Sequence, residues 1–129
     1  MPGNARTLAQ EWFNKAEDDL LSVRAILKEG APSTACFLSQ QIAEKYLKGL
    51  LVFFSAPFPK VHDLLELETL LAPLSSDIRS VHADLLLLNR YYIETRYPGD
   101  YPAFTMDEAR AAFDAAVRVK NLVLKRTVL

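Results

Sequence analysis

The sequence predicts an all-α fold, an up-and-down bundle of four to five helices that forms a single domain over residues 1–129. In successive segments, apolar residues recur at steps of three and four, which is the spacing of one face of a helix. No segment shows the alternation of apolar and polar residues that is typical of a half-buried strand, and Pro or Gly residues separate the periodic segments. A chain of this length can bury one substantial core.

The first periodic segment predicts an amphipathic helix over residues 8–27. Its apolar face comprises Leu8, Trp12, Ala16, Leu20, Val23 and Leu27. Thr7 followed by Gln10 resembles a capping box and predicts the start of the helix. Gly30 and Pro32 predict its end, because glycine adopts the left-handed cap and proline cannot continue the helix.

A second, central helix is predicted from about Ser33 or Thr34 to Phe54. Its apolar face carries Leu38, Ile42, Tyr46, Leu50 and Phe53. The stretch 55–59 contains two prolines and should end the helix, because proline lacks an N–H donor and disfavours helical geometry in the residue before it.

A shorter third helix should open at His62-Asp63, with Asp63 as its N-cap, and end at Pro73. Apolar residues with helical spacing then predict a continuous fourth helix over residues 77–95. Residues 96–102 should form a loop, since Pro98-Gly99 suits the centre of a type II turn.

The last helix should begin at a capping box formed by Thr105 and Glu108. Small apolar residues then recur with helical spacing, namely Ala109, Ala112, Ala116, Val119 and Val123. Small side chains allow helices to approach closely, so we expect this helix to pack tightly against a neighbour.

Composition narrows the classes of function. The net charge of −1 provides no general positive field, so nucleic-acid binding is unsupported. The single cysteine, Cys36, and two separated histidines give neither an internal disulfide nor a zinc motif, so we expect no metal and no cofactor. Because no apolar run approaches the roughly 20 residues that span a bilayer, and no signal-peptide pattern opens the chain, we expect a cytoplasmic protein without a membrane span.

Two groups of polar residues are candidates for a site. The second helix carries a polar stripe of Gln40, Gln41, Glu44, Lys45 and Lys48. From the residues alone, a solvated face with a Glu44–Lys48 pair is the favoured interpretation, and a binding surface is the alternative. His62-Asp63 could be an acid/base pair, but Asp63 as a helix cap is the favoured interpretation.

The predicted loop adds a third candidate. Arg96 and Tyr97, with Arg90 and Tyr101 nearby, combine guanidinium groups that can hold phosphate with rings that can stack on a base. Packing of the tyrosines onto the bundle is an equally good interpretation.

Four motifs in a fixed order together resemble a known family. They are Trp12 with Ala16, Glu17, Asp18, Asp19 and Leu20; Gln41-x-x-Glu44-Lys45-x-x-Lys48; His62-Asp63-Leu64; and Arg96-Tyr97-Pro98. In this order, across nearly the whole chain, they resemble the HEPN family (higher eukaryotes and prokaryotes nucleotide-binding domains).

The resemblance implies a helical bundle that pairs as a homodimer and acts with a separate minimal nucleotidyltransferase, as in toxin–antitoxin-type pairs. It also implies a nucleotide-binding groove, with lysines and an arginine near phosphates and a tyrosine under the base. Carried over to this chain, the groove residues are Gln41, Lys45, Lys48, His62, Asp63, Arg96 and Tyr97.

The sequence departs from the family's RNA-cutting toxins, which need an arginine four to six residues before a histidine. His62 has no arginine at that distance, and His82 has only Arg79, three residues before it. The resemblance therefore favours a binding module with no catalytic residue. The alternatives are a metal-independent endoribonuclease, with Arg96 or Arg90 beside a histidine, and a purely structural dimer.

Overall fold

The protein is a helical bundle, as predicted. The computed structural model describes residues 2–58, 60–94 and 103–128, and these residues contain helices and no strand. The helices are α1 (Pro2–Lys28), α2 (Pro32–Phe53), α3 (Leu64–Leu71), α4 (His82–Asn89), α5 (Tyr91–Glu94) and α6 (Met106–Thr127), with a 3₁₀ helix (Ser76–Val81) leading into α4. None of the described helices has the length and apolar character needed to cross a bilayer.

Helix α2 lies at the centre of the bundle, because α1, α3, α4, α5 and α6 all pack against it. This explains why most of its residues are buried, including polar ones. Gly49 allows the closest approach of α1: a Cβ atom at this position would lie 2.8 Å from Phe13 Cδ1 and 3.1 Å from Trp12 Cβ. Phe13 in turn stacks on Tyr46 at 5.3 Å.

The predicted start of the first helix is wrong. Helix α1 begins at Pro2, so Thr7 and Gln10 lie inside the helix and do not form a capping box at its start. Proline is well suited to a first helical turn, where its missing N–H has no partner to lose. The same rule applies to α2, which begins at Pro32 after the extended residue Ala31, one or two residues before the predicted start.

Two predicted helix starts are confirmed. Asp63 caps α3, where its carboxylate accepts hydrogen bonds from the backbone N–H groups of Leu65 at 2.9 Å and Glu66 at 3.4 Å. Thr105 and Glu108 form the capping box of α6, in which Glu108 N–H donates to Thr105 Oγ1 at 3.0 Å and Thr105 N–H donates to Glu108 Oε1 at 3.2 Å. The small residues of α6 are buried and pack against α2, as expected.

The predicted continuous helix over residues 77–95 is wrong. This stretch is divided into the 3₁₀ helix, α4 and α5. Contacts with other parts of the bundle occur at both breaks between these helices. Near the first break, Arg79 and His82 both turn toward Glu68 of α3. At the second break, Asn89 Oδ1 accepts a hydrogen bond from the N–H of Leu64 at 2.8 Å, which ties the end of α4 to the start of α3.

Candidate functional site

A buried carboxylate on the central helix organises the candidate site. Glu44 is 4% exposed, and Lys48, one turn further along α2, is 6% exposed. The Lys48 ammonium lies 3.1 Å from Glu44 Oε2. The pair expected from the sequence is therefore present, but its predicted solvated setting is wrong because α2 is covered by its neighbours.

Glu44 connects a set of polar side chains that we call the Glu44 cluster: Gln40, Gln41, Glu44, Lys48 and His62. Gln40 Nε2 donates to Glu44 Oε1 at 3.2 Å, and Gln41 Nε2 donates to Gln40 Oε1 at 2.7 Å. His62 Nδ1 lies 3.1 Å and 3.2 Å from the two Glu44 oxygens. Every polar atom of Gln40 and Glu44 thus lies within a continuous network.

His62 brings this network to the surface. Its side chain is 50% exposed, although Glu44 beneath it is buried. The imidazole ring stacks on Tyr92 with ring centroids 4.2 Å apart and planes inclined by 17°. A carboxylate on Nδ1 fixes the orientation of the ring, and Nε2 has no partner among the described residues.

Asp63 plays a different part from its neighbour. Besides capping α3, its Oδ1 accepts a hydrogen bond from Asn89 Nδ2 at 3.1 Å. The carboxylate partner of His62 is therefore Glu44, 18 residues earlier, so the acid/base alternative for His62-Asp63 is wrong and the favoured interpretation of Asp63 as a cap is confirmed. The cap nevertheless contributes to the site, because it fixes the backbone immediately after His62.

Lys48 is enclosed by aromatic rings as well as by Glu44. Its ammonium lies 5.8 Å from the centroid of Trp12 and 5.9 Å from that of Phe58. The two rings meet edge to face at 6.2 Å. A desolvated ammonium is attracted to ring faces, so the cage stabilises the cation that neutralises Glu44.

The other predicted site residues are not all part of this cluster. Lys45 points to α1, where its ammonium is hydrogen-bonded to Asp19, and it is partly exposed. Arg96 and Tyr97 lie outside the described residues. The structure thus brings Gln41, Lys48 and His62 into one network through Glu44, and places Lys45 in a neighbouring ion pair.

A separate group of polar contacts around Glu17 joins α1, α2 and α6. The Tyr46 hydroxyl donates to Glu17, and the Lys120 ammonium lies 2.9 Å from Glu17 Oε2. Burial raises the pKa of Glu17, but the hydrogen bonds from Tyr46 and Lys120 outweigh burial and hold the pKa below its ordinary value. Burial and the Glu17 carboxylate both raise the pKa of Tyr46.

A second histidine is also held by a buried glutamate, a feature that sequence analysis missed. Glu68 on α3 is 1% exposed, and its two oxygens lie 2.8 Å from His82 Nδ1 and 3.0 Å from Arg79 Nη1. The one signal for this contact in the sequence was Glu68, a charged residue within the mostly apolar helix 64–71. His82 is 52% exposed, so it matches His62 in exposure and in its carboxylate partner.

Comparisons with known proteins agree on one family. The HEPN domain family model matches residues 9–126. The crystal structure of TT1696 from Thermus thermophilus is 32% identical, with a TM-score of 0.78 over 91% of this chain and 96% of that chain. ST0689, described as an archaeal HEPN homologue, is 31% identical, with a TM-score of 0.74 over 92% of this chain and 96% of that chain. No curated protein matches the chain.

Proposed function

The chain belongs to the HEPN family, and from this premise we propose that it is a homodimeric module that binds a nucleotide at the Glu44 cluster and acts with a separate minimal nucleotidyltransferase. It acts as a binding partner in a toxin–antitoxin-type pair. The observation that carries the nucleotide-binding proposal is a buried carboxylate that holds a half-exposed histidine on an aromatic ring.

The energetic argument starts from the burial of Glu44 and Lys48. Replacing a buried ion pair by well-packed apolar side chains is often neutral or stabilising, so such a pair is weak evidence for a role in stability alone. Here the pair supports side chains that reach the surface, namely His62 and Gln41. Side chains whose orientation is fixed by hydrogen bonds to a buried network are typical of binding sites.

The chemistry of the surface fits a nucleobase. His62 stacks on Tyr92, and Tyr92 lies 6.1 Å from Phe37, so three rings form a continuous aromatic surface. A base that stacks on such a ring gains about 1–3 kcal/mol, whatever its identity. His62 itself adds the Nε2 atom, and Gln41 lies one helical turn after Phe37 on α2, so its amide is on the same face of the helix.

The phosphate groups of the ligand require cations. We assign the phosphate contact to Lys45 and Arg96. The Lys45 ammonium is partly exposed, so it can leave Asp19 and bind a phosphate instead. We assign Tyr97 to stacking under the base. Lys48 is enclosed by Glu44 and two rings, so we assign it to positioning Glu44. Asp63 positions His62 through the cap of α3.

The test is calorimetric titration with nucleoside triphosphates, in which His62→Ala is compared with His82→Ala. Both histidines are about half exposed and both are held by a buried glutamate, so His82→Ala controls for the loss of such an imidazole, whereas His62→Ala also removes the ring that stacks on Tyr92. We expect His62→Ala to weaken binding at least tenfold and His82→Ala to change it less than twofold. Absence of binding to the wild-type protein, or equal effects of the two variants, would contradict the proposal.

The proposed homodimer and its complex with a nucleotidyltransferase are tested by separate measurements. Light scattering on the purified protein should give twice the mass of 14.5 kDa. Co-purification with the nucleotidyltransferase encoded nearest to this gene should yield a complex. A monomer, or a nucleotidyltransferase that elutes separately, would remove the corresponding part of the proposal without affecting nucleotide binding.

A second candidate is an endoribonuclease, which the Glu44–His62 pair favours because a carboxylate-held imidazole can act as a general base. His62 Nε2 would take the proton of a ribose 2′-hydroxyl, whose oxygen attacks the adjacent phosphorus. The 5′-oxygen would leave with a proton from water, giving a 2′,3′-cyclic phosphate and a 5′-hydroxyl. RNA cleavage that is unchanged by His62→Ala and Arg96→Ala would remove this candidate.

The third candidate, a purely structural dimer, makes the opposite prediction for binding. Lys45→Ala and Arg96→Ala would then leave every nucleotide titration unchanged. A loss of affinity in either variant excludes this candidate.

A further inference from the structure

The orientation of the Gln40 amide is fixed by its neighbours. Gln40 Nε2 lies 3.2 Å from Glu44 Oε1 and 3.2 Å from the backbone carbonyl oxygen of His62. A carbonyl oxygen can only accept a hydrogen bond, so the atom that faces it must be the amide nitrogen. Gln40 is fully buried, which leaves no solvent to allow the reverse orientation.

The orientation of Gln41 follows from that of Gln40. Because Gln40 Nε2 faces Glu44, its Oε1 must accept, and it accepts from Gln41 Nε2 at 2.7 Å. Gln41 Oε1 has no partner among the described residues. Among these residues, Ser39 Oγ is the one fully buried side-chain oxygen or nitrogen without a partner, so Gln41 Oε1 reaches solvent. The buried carboxylate thus determines that Gln41 presents an acceptor to the surface.

Gln41 also retains a donor. Its amide nitrogen carries two N–H groups, and one of them is used by Gln40. The exposed part of the side chain therefore offers an oxygen acceptor next to an N–H donor. The hydrogen bond to Gln40 prevents the amide group from flipping, so these two positions cannot be exchanged. Glutamine in this arrangement complements adenine, which places an amino N–H beside a ring-nitrogen acceptor.

We propose that Gln41 is the residue that determines base specificity, and that it accepts a hydrogen bond from the exocyclic amino group of adenine. This inference rests on the proposed nucleotide-binding function. On the edge that carries N7, guanine presents two acceptors, O6 and N7, where adenine presents the amino group and N7, so the fixed amide disfavours guanine at this edge. Of the two purines, adenine is therefore the preferred base at this contact.

The experiment compares ATP with purine riboside triphosphate, which differs from ATP only in lacking the 6-amino group, by calorimetric titration of the 129-residue chain. We expect ATP to bind about tenfold more tightly, which is the effect of one net hydrogen bond. GTP should also bind more weakly than ATP. Equal affinity for ATP and purine riboside triphosphate, or tighter binding of GTP, would overturn the inference.

Two variants test the assignment to Gln41. Gln41→Met keeps the length of the side chain without its polar atoms, so ATP and purine riboside triphosphate should bind it equally. The control is Gln10→Met, since Gln10 is an exposed glutamine on α1 bonded to Asn14, and it should keep the tenfold preference. A preference that survives Gln41→Met would assign the contact to another residue and overturn the inference.

The ligand comparison on the wild-type chain needs no variant, so it stands even if Gln41→Met fails to fold. It also separates the two proposals. If neither triphosphate binds, the proposed function fails and the inference fails with it. If both bind with the same affinity, nucleotide binding stands and only the role of Gln41 is overturned.

Discussion

Replacing Lys48 by methionine removes the ammonium that neutralises Glu44 but keeps most of the side-chain volume. The two charges are 6% and 4% exposed, so water cannot take the place of the lost partner. Breaking a buried pair costs about 3–5 kcal/mol, and since Gln40 and His62 still contact Glu44, we expect about 3 kcal/mol. For a chain of 129 residues, an unfolding entropy of about 2.1 cal/mol/K per residue converts this into a fall in Tm of about 10 °C.

The assay is urea-induced unfolding of four proteins: wild type, Lys48→Met, Glu44→Gln and the double variant. The double variant leaves neither charge unpaired, so its loss should be smaller than the sum of the single losses by about 2 kcal/mol. Arg110→Ala is the control, because it breaks an exposed pair with Asp107 on α6 and should cost less than about 0.5 kcal/mol. A coupling energy below about 0.5 kcal/mol between Lys48 and Glu44 would refute the argument from burial.

Three further measurements test the packing and the titrating groups. Gly49→Ala should lower the free energy of unfolding by about 1–3 kcal/mol, because the new methyl group overlaps the Phe13 ring; an unchanged Tm would contradict this packing. Burial raises the pKa of the Cys36 thiol to about 11, so Ellman's reagent at pH 8 should react with the unfolded chain and leave the folded protein untouched, and fast reaction of the folded protein would contradict the burial. The lowered pKa of Glu17 means that its stabilising contribution is complete above the ordinary carboxyl pKa and is lost as the pH falls through the folded value. Glu17→Gln should therefore flatten the acid limb of stability against pH, and an unchanged limb would exclude Glu17 as its source.

Local signals explain what could be predicted from the sequence. The caps at Asp63 and Thr105 depend on residues two or three positions away, so their patterns are visible in the chain itself. The start of α1 was missed because a capping-box pattern at Thr7 competed with a proline at the very beginning of the helix. Periodicity alone gives no means of choosing between two such signals.

Long-range contacts explain what could not be predicted. The division of residues 76–94 depends on Glu68 and Asn89, which act across the bundle on residues that have good helical periodicity. The cap at Asp63 was the favoured interpretation, but the carboxylate partner of His62 could not be predicted, because nothing in the sequence shows that Glu44 would be buried against the loop before α3. The polar stripe of α2 has the spacing of a solvated face, and three of its residues, Gln40, Glu44 and Lys48, are buried because other helices pack around α2.

The most direct test of the proposed site follows the two histidine rings separately during a titration with ATP. Nuclear magnetic resonance of the imidazole groups distinguishes His62 from His82, which differ in position but share a half-exposed ring and a buried glutamate. A nucleotide at the Glu44 cluster predicts saturable shifts of the His62 signals and unchanged His82 signals. Unchanged His62 signals at ATP concentrations that saturate binding, or shifts confined to His82, would contradict the account.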